Sequence, residues 1–189
     1  MGFSSSNNTL THMSILNNSQ QGLFLQNAPS NKVFFNHFVN NLKGIEVSSS
    51  DNNTLAHNNL TSNTQYGVVI TSSSNNTIYN NYFNNPLNAY DTGFNFWNTS
   101  YNCYQSNIIG GSCLGGNFWS DYNGTDTNND GIGDTLIPYN SSNQIQNGGD
   151  YLPLVSHCGN LTGNVILTQN LTSNGTCFNI LTDHLEIDC

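Results

Sequence analysis

The fold of this chain is decided by the stretch Asn76-Thr77-Ile78-Tyr79-Asn80-Asn81-Tyr82-Phe83, because versions of it recur every 22 or 23 residues. Its first three residues return earlier in matching tripeptides: Asn8-Thr9-Leu10, Asn31-Lys32-Val33 and Asn53-Thr54-Leu55. Its last residue has counterparts at Ile15, Phe38 and Leu60. A period of this length, kept in two separate columns, is typical of a solenoid of stacked repeats.

Each repeat contains short alternating segments, such as Gly67-Val68-Val69-Ile70, separated by Asn, Ser and Gly. This pattern predicts strands and tight turns rather than helices. Leucine-rich repeats have a similar length, but they need a fixed leucine consensus and usually a helical segment in each repeat. Three short strands per turn fit better. The sequence therefore predicts an all-β fold, a right-handed parallel β-helix.

In such a helix each turn, or rung, stacks on the next about 4.8 Å away, so like residues form columns. Two columns are apolar and should face the core: Leu10, Val33, Leu55 and Ile78, and Ile15, Phe38, Leu60 and Phe83. Two others are asparagine ladders: Asn8, Asn31, Asn53 and Asn76, and Asn36, Asn58 and Asn81, with Met13 interrupting the second. We expect these amides to satisfy backbone groups at the turns, because they both donate and accept.

The chain is acidic, with 2 basic and 11 acidic residues and a net charge of −9. The excess negative charge follows residue 90, since Lys32 and Lys43 balance Glu46 and Asp51 before it. We therefore expect no nucleic acid and no anionic membrane surface as a partner. No apolar stretch is long enough to span a membrane, so the sequence does not predict direct membrane insertion.

Sequence features favour an extracellular, cell-surface or periplasmic location. Asn-x-Ser/Thr sequons are numerous, although an Asn-rich chain also produces them by chance. None of the five cysteines forms a C-x-x-C pair, so disulfides are a better interpretation than a zinc site. Cys103 and Cys113 could close a loop, whereas the pairing of Cys158, Cys177 and Cys189 stays open. Buried free thiols are the alternative. Both ends run into repeat-like sequence, which predicts part of a longer chain.

An acidic loop at residues 126–134 reads Asp-Thr-Asn-Asn-Asp-Gly-Ile-Gly-Asp. Oxygen donors at alternate positions suit calcium, so the loop predicts a calcium site. Its expected ligands are Asp126, Asn128, Asp130, the carbonyl of Ile132 and Asp134, with Asp121 or Asp150 as a further donor. The pattern follows the first part of an EF-hand loop, but its twelfth position is Ile137. A solvated acidic turn is the alternative, and magnesium fits less well because it seldom uses an all-protein cage.

The rungs resemble the NosD-type and related carbohydrate-binding and sugar-hydrolase β-helix repeats of archaeal and bacterial cell-surface proteins. The resemblance lies in the Asn-Asn-Thr-Ile-x-Asn-Asn pattern at residues 75–81. It continues through residues 114–122, the acidic loop and residues 149–154, which are similar to segments that close many such helices. We therefore expect rungs over 1–90, a closing segment over 91–155 with an aromatic cap and the calcium loop, and the start of a second β-helix over 156–189.

The resemblance also raises the question of copper binding, because NosD-type proteins are associated with copper delivery. The residues do not favour it. His12 and His57 share a column, but they lie two rungs apart with Phe35 between them, and His37 occupies another column. Soft ligands therefore do not converge on one metal.

Related β-helices include polysaccharide lyases, hydrolases and epimerases, so catalysis must be judged from the residues. Lyases of this shape pair calcium with an Arg or Lys base, but Lys32 and Lys43 share no column. Hydrolysis needs two convergent carboxylates, and the rungs contain only Glu46 and Asp51. We therefore predict that this chain is not an enzyme.

The predicted function is a non-catalytic extracellular β-helix module, serving as a scaffold or polysaccharide-binding surface of a larger cell-envelope protein. A fragment of a carbohydrate-active enzyme and a NosD-like copper-associated protein are the alternatives. Candidate sugar-stacking side chains are Tyr79, Tyr82, Trp97, Trp119 and Tyr122. Some aromatics could instead plug the last rung against edge pairing: Phe94, Phe96, Trp97, Phe118 and Trp119.

Overall fold

The computed structural model describes residues 5–128, 130–155, 159–161, 165–166 and 178–188. Short strands in its first part form four rungs. The first two rungs contain β1 (Thr9–Thr11), β2 (Ser14–Leu16) and β3 (Gln21–Gln26), then β4 (Lys32–Phe34), β5 (His37–Val39) and β6 (Lys43–Ser48). The next two contain β7 (Thr54–Ala56), β8 (Asn59–Thr61) and β9 (Tyr66–Thr71), then β10 (Thr77–Tyr79), β11 (Tyr82–Asn84) and β12 (Leu87–Asp91).

Corresponding strands of successive rungs pair in parallel and form three sheets. The first sheet has the order β1-β4-β7-β10, and the third has the order β3-β6-β9-β12. The second sheet contains β2, β5, β8 and β11 and gains a fifth strand, β13 (Phe118–Trp119). This arrangement confirms the predicted all-β fold as a parallel β-helix.

The predicted apolar columns face the core. The strand register aligns Leu10 with Val33, Val33 with Leu55 and Leu55 with Ile78. Their counterparts on the second sheet stack in the same way. Burial of each large side chain contributes about 1.5–3 kcal/mol. The third sheet adds two further columns: Leu23, Ile45, Val68 and Ala89, and Leu25, Val47, Ile70 and Asp91.

Both predicted asparagine ladders are present, and each has a direction. In a typical step, the backbone N–H and Nδ2 of Asn58 donate to Oδ1 of Asn81 in the next rung, at 3.0 and 2.9 Å. Nδ2 of Asn58 also donates to the carbonyl of Val33 at 2.8 Å. Where Met13 interrupts the second ladder, its backbone N–H still donates to Oδ1 of Asn36.

A third ladder follows the second sheet and was missed by the sequence analysis. It contains Asn18, Asn41, Asn63 and Asn85. The same spacing was visible in the sequence, so a search of every position of the repeat would have found it.

The ladder residues lie at the corners between sheets. Each rung turns through residues with positive φ, such as Asn75 and Asn80, directly before a ladder Asn. The left-handed conformation turns the chain, and the following amide satisfies the corner backbone. The backbones of adjacent rungs approach each other tightly where the third-sheet strands begin, because a Cβ on Gly44 would lie 2.6 Å from the carbonyl oxygen of Gly67. A larger residue at Gly44 would force adjacent rungs apart.

A partial fifth rung is assembled from separate pieces of the chain. Phe96 pairs with Thr77 on the first sheet, β13 pairs with β11 on the second, and Ile145 pairs with Asp91 on the third. The closing segment thus covers the edge that β10, β11 and β12 form at one end of the solenoid, which protects this edge from pairing with another chain.

The predicted second β-helix over 156–189 lies largely outside the described residues. The strands described there form two parallel pairs. β14 (Gly159–Leu161) pairs with β16 (Phe178–Ile180), and β15 (Val165–Ile166) pairs with β17 (Ile187–Asp188).

Asn58→Ala should lower the free energy of unfolding by about 2–3 kcal/mol, because the backbone N–H of Asn36 and the carbonyl of Val33 lose their hydrogen bonds to the buried side chain of Asn58. Urea unfolding followed by circular dichroism measures the change. The control is Asn84→Ala, an exposed Asn at the end of β11, expected to change stability by less than about 0.5 kcal/mol. Equal losses in the two variants would contradict a structural role for the ladder.

Candidate functional site

Each asparagine ladder ends on an aspartate. The ladders that reach Asn76, Asn81 and Asn85 each continue by one more Asn: Asn95, Asn117 and Asn88, respectively. These last residues donate as follows: Asn95 Nδ2 to Asp91 Oδ1 at 2.9 Å, Asn117 N to Asp150 Oδ2 at 2.7 Å, and Asn88 Nδ2 to Asp121 Oδ1 at 2.6 Å. Because the backbone N–H of each ladder Asn donates to Oδ1 of the Asn in the next rung, the three ladders share one direction and leave N–H groups at the closing end. Carboxylates suit such an end, as they suit the N-terminus of a helix.

The same aspartates also hold the aromatic residues of the closing segment. Each accepts one aromatic hydrogen bond: Trp97 Nε1 donates to Asp91 at 2.9 Å, Trp119 Nε1 to Asp150 at 2.8 Å, and Tyr139 Oη to Asp121 at 2.6 Å. We call the three aspartates with these three aromatics the cap. The cap joins the polar ladders to the apolar end of the core.

Asp150 and Asp91 are the buried carboxylates of the cap, and neither has exposed surface. Burial raises the pKa of the Asp150 carboxyl to about 7, against the opposing effect of N–H donors on Asn117, Trp119 and Leu152. Burial likewise raises the pKa of Asp91. Asp150 and Asp121 therefore serve the cap, and these contacts give no support to either as a ligand of the acidic loop.

The two tryptophans were predicted as sugar-stacking faces, and that interpretation is wrong. Trp97 and Trp119 are 0% and 2% exposed, with ring centroids 5.6 Å apart, so neither offers a face to a ligand. They close the core of the solenoid, as the alternative interpretation expected for these two residues. Phe118 is also buried, but it packs with Ile132 and Leu154 in a separate cluster and does not belong to this plug. Phe94 and Phe96 do not belong to this plug, because they are 72% and 59% exposed.

The three predicted tyrosines are partly exposed, but other side chains or backbone groups contact each of them. Tyr82 stacks on Phe118 with centroids 4.6 Å apart. Tyr79 meets His57 edge-on at 6.1 Å. Tyr122 packs against the core and donates a hydrogen bond from Oη to the carbonyl of Thr135.

The acidic loop folds around its own carboxylates. Asp126 accepts from the N–H of Gly131 at 2.7 Å, and Asp130 accepts from the N–H of Ile132 at 2.9 Å. Tyr101 Oη donates to Asp130 at 2.9 Å, and Asn128 Nδ2 donates to it at 3.2 Å.

Asp134 accepts from the backbone of Thr127, and the hydrogen bonds of Thr127 lower the pKa of Asp134. Within the described residues, no group of three or more His, Cys, Asp or Glu is placed to hold a metal ion. Calcium binding here stays a prediction.

The predicted disulfide is confirmed. Cys103 and Cys113 are bonded, with their Cα atoms 3.9 Å apart. Cys158, Cys177 and Cys189 lie outside the described residues, so their pairing stays open.

The comparison with protein families identifies this fold more closely. Residues 2–124 match the family model described as periplasmic copper-binding protein (NosD). This chain belongs to the NosD family. Comparisons with curated proteins and with solved structures gave no match. Across the described parts of this NosD-family chain, no helix has the length and apolarity needed to cross a membrane.

The copper named in the NosD description does not fit the described histidines. His12, Phe35 and His57 form a stack, with centroid distances of 5.4 and 4.6 Å, so a phenyl ring separates the imidazoles. Nδ1 of His57 is 2.8 Å from Nδ2 of Asn80, and burial lowers the pKa of His57. These are corner residues of successive rungs, as their positive φ angles indicate.

Asp150→Ala should lower the free energy of unfolding by on the order of 3 kcal/mol, because the N–H groups of Asn117, Trp119 and Leu152 lose their buried acceptor. The substitution should also change how the free energy of unfolding depends on pH. With a folded-state pKa of about 7, Asp150 keeps a proton that the unfolded chain releases above about pH 4, so wild-type stability falls as pH rises through this window.

Urea unfolding between pH 4 and pH 8 tests both effects. The variant should have a flatter profile across that range. The exposed Asp51→Ala is the control and should keep the wild-type slope. An unchanged slope in Asp150→Ala would contradict the assignment.

Calcium binding by the acidic loop has a separate test. Calorimetric titration of the wild-type chain with calcium should show one saturable site and a raised unfolding temperature. Asp126→Ala should abolish both, and the exposed Asp183→Ala should retain them. Absence of heat and of a thermal shift would leave residues 126–134 as a self-bonded acidic turn.

Proposed function

We propose that this NosD-family chain is a non-catalytic β-helix module that presents a polysaccharide-binding surface on a larger cell-envelope protein. The supporting observation is that the outward side chains of three sheets are held in fixed columns by the ladders and the cap. A rigid surface loses little conformational entropy when it binds an extended chain. Its exposed Asn, Ser, Thr and aromatic residues suit hydroxyl groups and sugar rings.

The use of the carboxylates supports a non-catalytic role. Glu46 forms an ion pair with Lys43 at 2.8 Å, and Asp51 accepts the N–H of Ser74 at 2.7 Å. Asp91 and Asp150 are buried within the cap. These acids have structural roles, whereas glycoside hydrolysis needs a pair that flanks the substrate. An enzyme fragment is therefore the weaker alternative.

The proposed location is outside the cytoplasm. The Cys103–Cys113 disulfide suits an oxidising compartment, and the family description places NosD proteins in the periplasm. Copper association is not part of this proposal, because Phe35 separates His12 from His57. Calcium binding by residues 126–134 remains part of it, as a stabilising ion of the closing segment.

Affinity electrophoresis of the purified chain in gels containing soluble polysaccharides tests this function. We expect slower migration with at least one polymer and no release of shorter sugars, measured by reducing-end assay and mass spectrometry. Turnover of any polymer would refute the non-catalytic proposal, and unchanged migration with every polymer would refute polysaccharide binding.

A further inference from the structure

The outward face of the third sheet differs from the other two faces in its chemistry. It is formed by β3, β6, β9 and β12, which include the longest strands of the solenoid. We call six of its outward side chains the third-sheet face: Gln21, Phe24, Lys43, Glu46, Tyr66 and Tyr90. They lie in two neighbouring columns, because the register aligns Gln21 with Lys43 and Tyr66, and Phe24 with Glu46.

Aromatic rings lie at both ends of this face. Tyr66 and Tyr90 are 5.9 Å apart between ring centroids and are tilted by 56°. Between Glu46 and Tyr90, Val69 points outward yet is only 5% exposed, so neighbouring side chains cover it. Phe24, two rungs before Val69, is 45% exposed. The face is therefore preformed and keeps an accessible ring.

Hydrogen-bonding groups lie between the rings. Oε2 of Glu46 accepts from Nζ of Lys43 at 2.8 Å and from Nε2 of Gln21 at 2.5 Å. Burial acts to raise the pKa of Glu46, but the hydrogen bonds of Lys43 and Gln21 lower it. The side chains of Lys43 and Glu46 are only 21% and 15% exposed. The three polar groups are thus positioned before any ligand arrives.

Charge narrows the class of ligand. Lys43 and Glu46 cancel on this face, while the whole chain carries a net charge of −9. A polyanion would meet the repulsion of the whole molecule without a free cation on this face to offset it. An uncharged ligand meets no such opposition. The mixture of rings with a carboxylate, an amide and an ammonium group suits sugar rings and hydroxyls better than an apolar protein interface.

We propose that the third-sheet face binds a neutral hexose polymer that runs along the solenoid axis, with sugar rings on Tyr66, Tyr90 and Phe24 and hydroxyls on Glu46, Lys43 and Gln21. This inference rests on the proposed polysaccharide-binding function and specifies its site and ligand class. Rungs repeat about every 4.8 Å, close to the length of one sugar residue, so successive sugars meet successive rungs.

Two tyrosines in the same rung as Tyr90 lie on the other two faces. Tyr82 on the second sheet is covered by the stacked ring of Phe118, at 4.6 Å. Tyr79 on the first sheet packs against His57. Tyr79 and Tyr82 are therefore matched controls, of the same residue type and in the same rung as Tyr90.

Calorimetric titration with cellohexaose, mannohexaose and an oligogalacturonate tests the site. The wild-type chain should bind a neutral oligomer more tightly than the uronate. The double variant Tyr66→Ala/Tyr90→Ala should weaken binding by at least about tenfold, which corresponds to 1.4 kcal/mol. Tyr79→Ala/Tyr82→Ala should bind within about threefold of wild type, because these rings lie outside the site.

Phe24→Ala provides a second test because Phe24 is exposed and contributes less to the core. It should weaken binding severalfold while its unfolding temperature stays near that of wild type. If the wild-type chain binds but the Tyr66, Tyr90 and Phe24 variants bind equally well, the site is wrong and the proposed function stands. If it binds none of the oligomers and no polysaccharide in the gels, both proposals fail. Tighter binding of the uronate would overturn the neutral ligand class.

Discussion

A directional chain of amide hydrogen bonds follows each corner of the solenoid, and the rest of the structure depends on it. The corners contain turns whose buried N–H and C=O groups have no strand partner, and leaving such groups unsatisfied is costly. An Asn such as Asn58 solves this locally, since it donates to Asn81 and Val33 and accepts from Asn36. Because each rung supplies the acceptor of the previous one, the rungs must stack in register.

The direction of the ladder hydrogen bonds creates a second constraint, at the closing end of the solenoid. Each ladder reaches that end with unused donors, and the chain supplies Asp91, Asp121 and Asp150 there. Each of these carboxylates, of which Asp91 and Asp150 are buried, also accepts a hydrogen bond from an aromatic residue of the closing segment. One group therefore completes a polar ladder and anchors an aromatic ring of the cap. The cap thus gives Asp91, Asp121 and Asp150 a structural role at the closing end. It also leaves the outward faces of the sheets as the rigid surfaces that a ligand could meet.

The repeat could be recognised from the sequence, because its period is short and equivalent positions of successive rungs have equivalent environments. Val33 and Leu55 could be assigned to the core, and Asn31 and Asn53 to a ladder, since each repeats its neighbour's environment. The cap could not be assigned in this way. Asp150 lies 33 residues from its partner Asn117, without a repeat to relate them. Trp97 and Trp119 read equally well as exposed sugar platforms or as buried plugs, and only their packing distinguished the two.

The sequence by itself determined the solenoid, two of its ladders, its apolar columns and the Cys103–Cys113 disulfide, because these follow from regular spacing or short separation. The tertiary structure decided which aromatic rings are free and what each carboxylate does, because burial and hydrogen-bond partners depend on residues far apart in the chain. The face containing Tyr66, Tyr90 and Glu46 belongs to this second class. Its side chains come from four strands that are separated in sequence, and they become one surface only when four rungs stack.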